Sequence, residues 1–144
     1  TKYDGTKLRA RYRFGEKGRY LVDPLLYVEY KRSPEHNDPH ELELKAIFAK
    51  DIGDFNISYN QILNQVLESD GLTESEYAIG LNYKFNNRFF LGIESKGSYL
   101  KDKYYLGPTV SWRGKRFWVA CGLVGAVHKR ADDLQSRVII GMPF

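Results

Sequence analysis

The sequence is poor in the features that most often classify a chain. It holds one cysteine, Cys121, so no intrachain disulfide framework can form. No run of about 18 apolar residues occurs, which excludes a spanning helix. Prolines number five and no Pro- or Ser-rich stretch divides the chain, so residues 1–144 are expected to form a single domain. The net charge is only +4, with 22 basic residues interleaved among 18 acidic ones, too small an excess for a dedicated nucleic-acid binder. The chain starts at Thr1 without a basic-then-apolar leader, and a processed or truncated N-terminus is the expectation. Helical periodicity of useful length is missing as well.

What the chain does have is aromatic residues, at 15%, and period-two alternation. The alternation repeats about nine times. The first strand is predicted from Thr6 to Phe14, with Leu8, Ala10, Tyr12 and Phe14 on one face and Lys7, Arg9, Arg11 and Arg13 on the other. The second is predicted over Arg19 to Lys31, with Tyr20 through Tyr30 apolar at alternate positions and Asp23, Tyr27, Glu29 and Lys31 opposite. Further strands follow through Glu41–Lys50, Phe55–Asn60, Glu76–Phe85, Phe89–Lys96, Tyr104–Arg113, Phe117–Val127 and Gln135–Phe144. The stretch Gln61 to Glu68 is less regular, as a β-bulge would make it. The fold class expected is all-β, an antiparallel up-and-down meander closed as a barrel.

Alternation alone does not separate a soluble barrel from a membrane barrel, since the two differ only in which face points inward. Two further patterns favour the membrane form. Short turns at 15–18, 51–54, 86–87 and 114–115 are predicted to alternate with longer, charged loops at 33–40, 69–73, 99–103 and 128–134. Large aromatics of the apolar set, Phe14, Tyr20, Phe48, Phe55, Phe85, Phe89, Trp112 and Phe117, collect beside the short turns, while Tyr30, Tyr77 and Tyr104 lie toward the other rim. Tight turns at one end and interfacial aromatic girdles are features of outer-membrane barrels. A mean hydropathy of −0.50 is compatible with this, because half of each barrel strand faces a polar lumen.

The chain ends in Phe144, preceded at alternate positions by Met142, Ile140 and Val138. This resembles the terminal strand of bacterial outer-membrane β-barrel proteins. Pro143, which donates no ladder hydrogen bond, is a departure from that pattern. The resemblance implies export, a place in the outer membrane of a Gram-negative cell envelope, and insertion by the barrel-assembly machinery. Its partners would then be the lipid bilayer and that machinery.

The residues expected to line the lumen are Lys7, Arg9, Arg11, Arg13, Asp23, Glu29, Lys45, Asn82, Glu94, Lys96 and Arg113. In a small barrel such groups pair with one another and fill the interior, or else border a narrow pore that a basic stripe biases toward anions. Arg11 is expected near Asp23, and Glu76 near Lys96. The three histidines, His36, His40 and His128, fall in predicted external loops without a legible catalytic arrangement. His36 and His40, with neighbouring carboxylates, are weak metal-ligand candidates on a loop. No enzyme activity and no cofactor are expected. The function expected is a structural or porin-like channel role; the alternatives are an outer-membrane enzyme with a rim site and a soluble lipocalin-like carrier.

Nine strands are an odd number, and bacterial single-chain barrels have an even one. The expectation is therefore a complete barrel of ten or more strands, with an additional strand or chain preceding Thr1.

Overall fold

The computed structural model describes residues 6–32, 39–68, 71–127 and 134–142. It contains no helix among these residues. Nine strands follow one another: β1 (Thr6–Arg13), β2 (Asp23–Arg32), β3 (Glu41–Ile52), β4 (Phe55–Val66), β5 (Thr73–Lys84), β6 (Phe89–Ser98), β7 (Lys103–Arg113), β8 (Trp118–Ala126) and β9 (Leu134–Gly141). They form one sheet in sequence order, every neighbouring pair antiparallel. Among the described residues β1 pairs only with β2 and β9 only with β8, so the sheet is open at both edges.

The register is continuous along β3, β4 and β5. The bulge expected within Gln61–Glu68 is not there: each residue from Gln61 to Val66 has its partner on β3. Between β3 and β4 only Gly53 and Asp54 intervene, and Gly53 takes the positive φ of 59° that two-residue hairpin loops favour.

The first hairpin departs from expectation. Its connection covers residues 14–22 rather than 15–18, and β2 starts at Asp23 instead of Arg19. Two glycines with positive φ, Gly15 at 135° and Gly18 at 84°, shape this segment, and the Gly18 amide donates to Asp23 Oδ1 at 2.6 Å. The strict alternation of short and long connections therefore does not hold. One end of the sheet carries connections 14–22, 53–54, 85–88 and 114–117; the other carries 33–40, 67–72, 99–102 and 127–133.

The two faces are sorted as the alternation requires. Leu8, Tyr12, Leu44, Ile57, Leu81, Leu91, Val110, Val119 and Ile140 lie on one face, and Arg11, Glu29, Lys45, Asn56, Asn60, Asn82, Glu94 and Arg113 on the other. The sheet curls so that the charged face is concave. Arg137 of β9 reaches Glu94 of β6, three strands away, and Ser58 of β4 lines the same hollow as Arg137. On the convex face, Arg32 and Lys50 are the only charged strand residues, each within three residues of a strand end.

No conventional core lies between layers. Tyr105 at 5% exposure and Val124 at 4% are the only buried apolar residues among those described, and both sit on the concave side. The large apolar side chains are instead exposed on the convex face. Aromatic pairs gather at its two ends. Near the 53–54 and 114–117 connections Phe55 lies 5.0 Å from Tyr83, and Trp112 lies 5.2 Å from Phe117. At the other end Tyr77 lies 5.5 Å from Tyr99 and 6.3 Å from Tyr104.

Candidate functional site: the concave face

Adjacent antiparallel strands place directly opposed residues on the same side, so the register assembles the concave lining. Every residue expected to line a lumen arrives there: Lys7, Arg9, Arg11 and Arg13 on β1, Asp23 and Glu29 on β2, Lys45 on β3, Asn82 on β5, Glu94 and Lys96 on β6, and Arg113 on β7. Of the two charge pairings expected, one is displaced and the other is met diagonally. Arg11 faces Tyr27, not Asp23, because the longer first connection shifts β2 along β1. Glu76 faces Ser98 while Lys96 faces Ala78, so the two are diagonal neighbours, and Lys96 lies over the Tyr105 ring at 5.5 Å.

The charges form local groups. Glu29, with its side chain 12% exposed, accepts from Arg9 Nε at 2.5 Å and from the Tyr27 hydroxyl, with Lys7 Nζ at 3.6 Å. Beside it Lys45 pairs with Glu43 at 2.7 Å and sits 4.9 Å over the Tyr27 ring. A second group lies toward connection 99–102. There Glu74 accepts from Ser98 Oγ and Lys101 Nζ, both at 2.7 Å. The hydrogen bond to Glu74 holds the Lys101 ammonium above its ordinary pKa. Glu94 and Arg137 make the cross-interior pair. At the opposite rim Lys17 pairs with Asp51 at 2.5 Å, and Asn56 Nδ2 donates to Asp51 Oδ1 at 2.6 Å.

Between these groups lie small or neutral residues, Asn56, Ser58, Asn60, Ala78, Gly80, Asn82, Gly92, Thr109, Ser111 and Gly122, together with larger apolar ones such as Phe90 and Trp118. Short side chains leave space, and a cavity of about 680 Å³ opens here, reaching from Lys17 and Asp51 across to Arg137. Thr109 Oγ1 donates to Asn82 Oδ1 at 3.4 Å across Gly92.

Glu29 is the most connected carboxylate of the lining. Glu29→Gln removes the charge that holds two cations and a phenol, and is expected to lower stability by about 1–2 kcal/mol. Lys17→Gln, in a pair whose two side chains are largely exposed, should cost less than about 0.5 kcal/mol. Urea unfolding of the two variants tests this; equal effects would mean that Glu29 is as well hydrated as the rim pair.

Several members escaped the sequence reading. Glu74 and Lys101 belong to segments predicted as loop or loop border, and Arg137 is distant in sequence from Glu94. Parity within β9 marks Arg137 as concave, alternate to Val138; nothing in the sequence marks its partner. His40 lies 5.7 Å from Tyr30, its Nδ1 buried without a hydrogen bond. His36 and His128 lie outside the described residues. Among those described, no group of three or more His, Cys, Asp or Glu residues is arranged to hold a metal ion.

No protein-family model, curated protein or solved structure matches this chain.

Proposed function

We propose that this chain forms the wall of a transmembrane β-barrel of the outer-membrane type, with a structural or channel role and no catalysis. The observation that carries the reading is the inverted distribution of polarity. The apolar face is convex and exposed, while the charged face is concave and many of its groups are paired. A water-soluble barrel would bury the larger apolar set inside, whereas here that set faces outward. A contiguous exposed apolar surface of this extent needs a partner, and a lipid bilayer is one that requires no further protein.

The convex face meets the other demands of lipid. Several of its polar residues pair internally: Tyr59 donates to Gln61 at 2.7 Å, and Gln61 Nε2 donates to Ser75 Oγ at 3.1 Å and to the Glu76 carbonyl at 3.0 Å. Tyr104 and Trp112, on the two aromatic belts, are eight residues apart on β7, about 26 Å at ~3.3 Å per residue. A strand tilt of about 40° reduces that to about 20 Å, close to the ~25 Å apolar band of such barrels. A spanning sheet leaves no edge unpaired in lipid, so in this reading β1 and β9 are joined, directly or through additional strands.

The single cysteine is a native reporter. Cys121 lies on the convex face between Val110 and Val138 in the register. In phosphatidylcholine vesicles a fluorophore on Cys121 should be quenched by nitroxide-labelled lipid and not by iodide. One on Asn82→Cys in a Cys121→Ser background should escape the lipid quencher. A Cys121 label that lipid nitroxides do not reach would overturn the reading.

A further inference from the structure

We propose that the concave face holds a binding site for a small ring-bearing carboxylate at the end of the sheet that carries connections 85–88 and 114–117. The inference rests on the concave face alone and not on the membrane reading. Four cations and two carboxylates line the 680 Å³ cavity: Lys17, Lys84, Arg113 and Arg137 against Asp51 and Glu94. Two of the cations are neutralised, Lys17 by Asp51 and Arg137 by Glu94. Lys84 and Arg113 have no carboxylate partner among the described residues, although the Asp54 carbonyl accepts from the Lys84 backbone amide. Among the described residues the cavity therefore keeps two positive charges without a carboxylate partner.

Their placement suits one anion. Lys84 faces Phe90 on β6, Phe90 faces Ser111 on β7, and Arg113 lies two residues beyond Ser111. The Arg113 guanidinium sits 5.1 Å over the Phe90 ring. The Arg113 side chain makes no hydrogen bond among the described residues, so its N–H donors remain available to take a carboxylate in bidentate fashion. Trp118, opposite Arg113 in the register, spreads over Gly141, where a Cβ would meet its indole at 2.5 Å. Phe90 and Trp118 thus supply ring surfaces next to the cations, and Asn82, Thr109 and Ser111 supply neutral hydrogen-bonding groups. A cavity of this size matches a small organic molecule rather than a bare ion.

The test uses the full chain refolded in detergent, with Trp112→Phe leaving Trp118 as the only tryptophan. Sodium benzoate, inorganic phosphate and benzylammonium are titrated at constant ionic strength, read by Trp118 fluorescence and by calorimetry. Benzoate should bind saturably, and Lys84→Gln and Arg113→Gln should each weaken it at least tenfold. Arg88→Gln, which removes a charge at the same end but outside the cavity, should leave it unchanged. Benzylammonium binding as well as benzoate, phosphate binding as tightly as benzoate, or unaltered affinity in the Lys84 and Arg113 variants would each overturn the proposal. Binding is read in detergent and the Cys121 test in vesicles, so each idea can fail alone.

Discussion

If the proposed membrane reading holds, Ile93→Arg is expected to destabilise the protein in phosphatidylcholine vesicles by about 2–4 kcal/mol, the cost of a basic side chain near the middle of a strand that faces lipid. Ile93 stands midway along β6, 56% exposed on the convex face, between Leu81 on β5 and Pro108 on β7. The penalty amounts to roughly a 30-fold to 1,000-fold loss in the folding equilibrium, since about 1.4 kcal/mol is tenfold. Urea titration in vesicles, followed by tryptophan fluorescence, reads it. Asn60→Arg adds the same charge on the concave face and should cost less than about 1 kcal/mol, because a cation on that polar face can be hydrated or paired. The contrast discriminates: an exposed Ile→Arg change on a water-facing surface lies within about 0.5 kcal/mol of neutral. A native-like Ile93→Arg protein in vesicles would place the convex face in water.

Gly107→Val should destabilise by about 3 kcal/mol, whatever surrounds the sheet. A Cβ at Gly107 would lie 2.0 Å from the Leu123 carbonyl oxygen and 2.7 Å from Val124 Cα, so the obstacle is the β8 backbone and not a side chain that can swing away. The ladder is interrupted here, since no pairing joins Gly107 or Pro108 to β8. Valine would have to push β8 away from β7, and overpacking of this kind costs about 1–3 kcal/mol or more. Val124, one of the two buried apolar residues among those described, would move with it. The same urea experiment in detergent measures the loss. Gly122→Ala is the control, because a Cβ there meets only the Thr109 methyl at 3.4 Å, and it should stay within about 1 kcal/mol of native. Equal behaviour of the two variants would show that β7 and β8 do not approach this closely at Gly107.

Much of the candidate site was legible because parity is robust. Shifting a strand boundary by two residues leaves every side chain on its own face, so Glu94, Lys96 and Arg113 fell on the concave side without any knowledge of register. Pairing was not legible in the same way. The partner of Arg11 depended on whether the first connection took four residues or nine, and two glycines with positive φ made it nine. Glu74 and Lys101 were hidden for a related reason: β5 starts at Thr73 and β6 runs on to Ser98, which draws the edges of two expected loops into the site.

By itself the sequence determined that this chain makes nine antiparallel strands and which residues share each face, because both follow from local, period-two chemistry. Only the tertiary structure decided the direction of curl, and with it that the charged face is the concave one. Alternation is symmetric between the two faces, so no local rule chooses which of them closes. The choice lies in contacts between strands far apart in sequence, such as Arg137 with Glu94, which form only when the whole sheet bends.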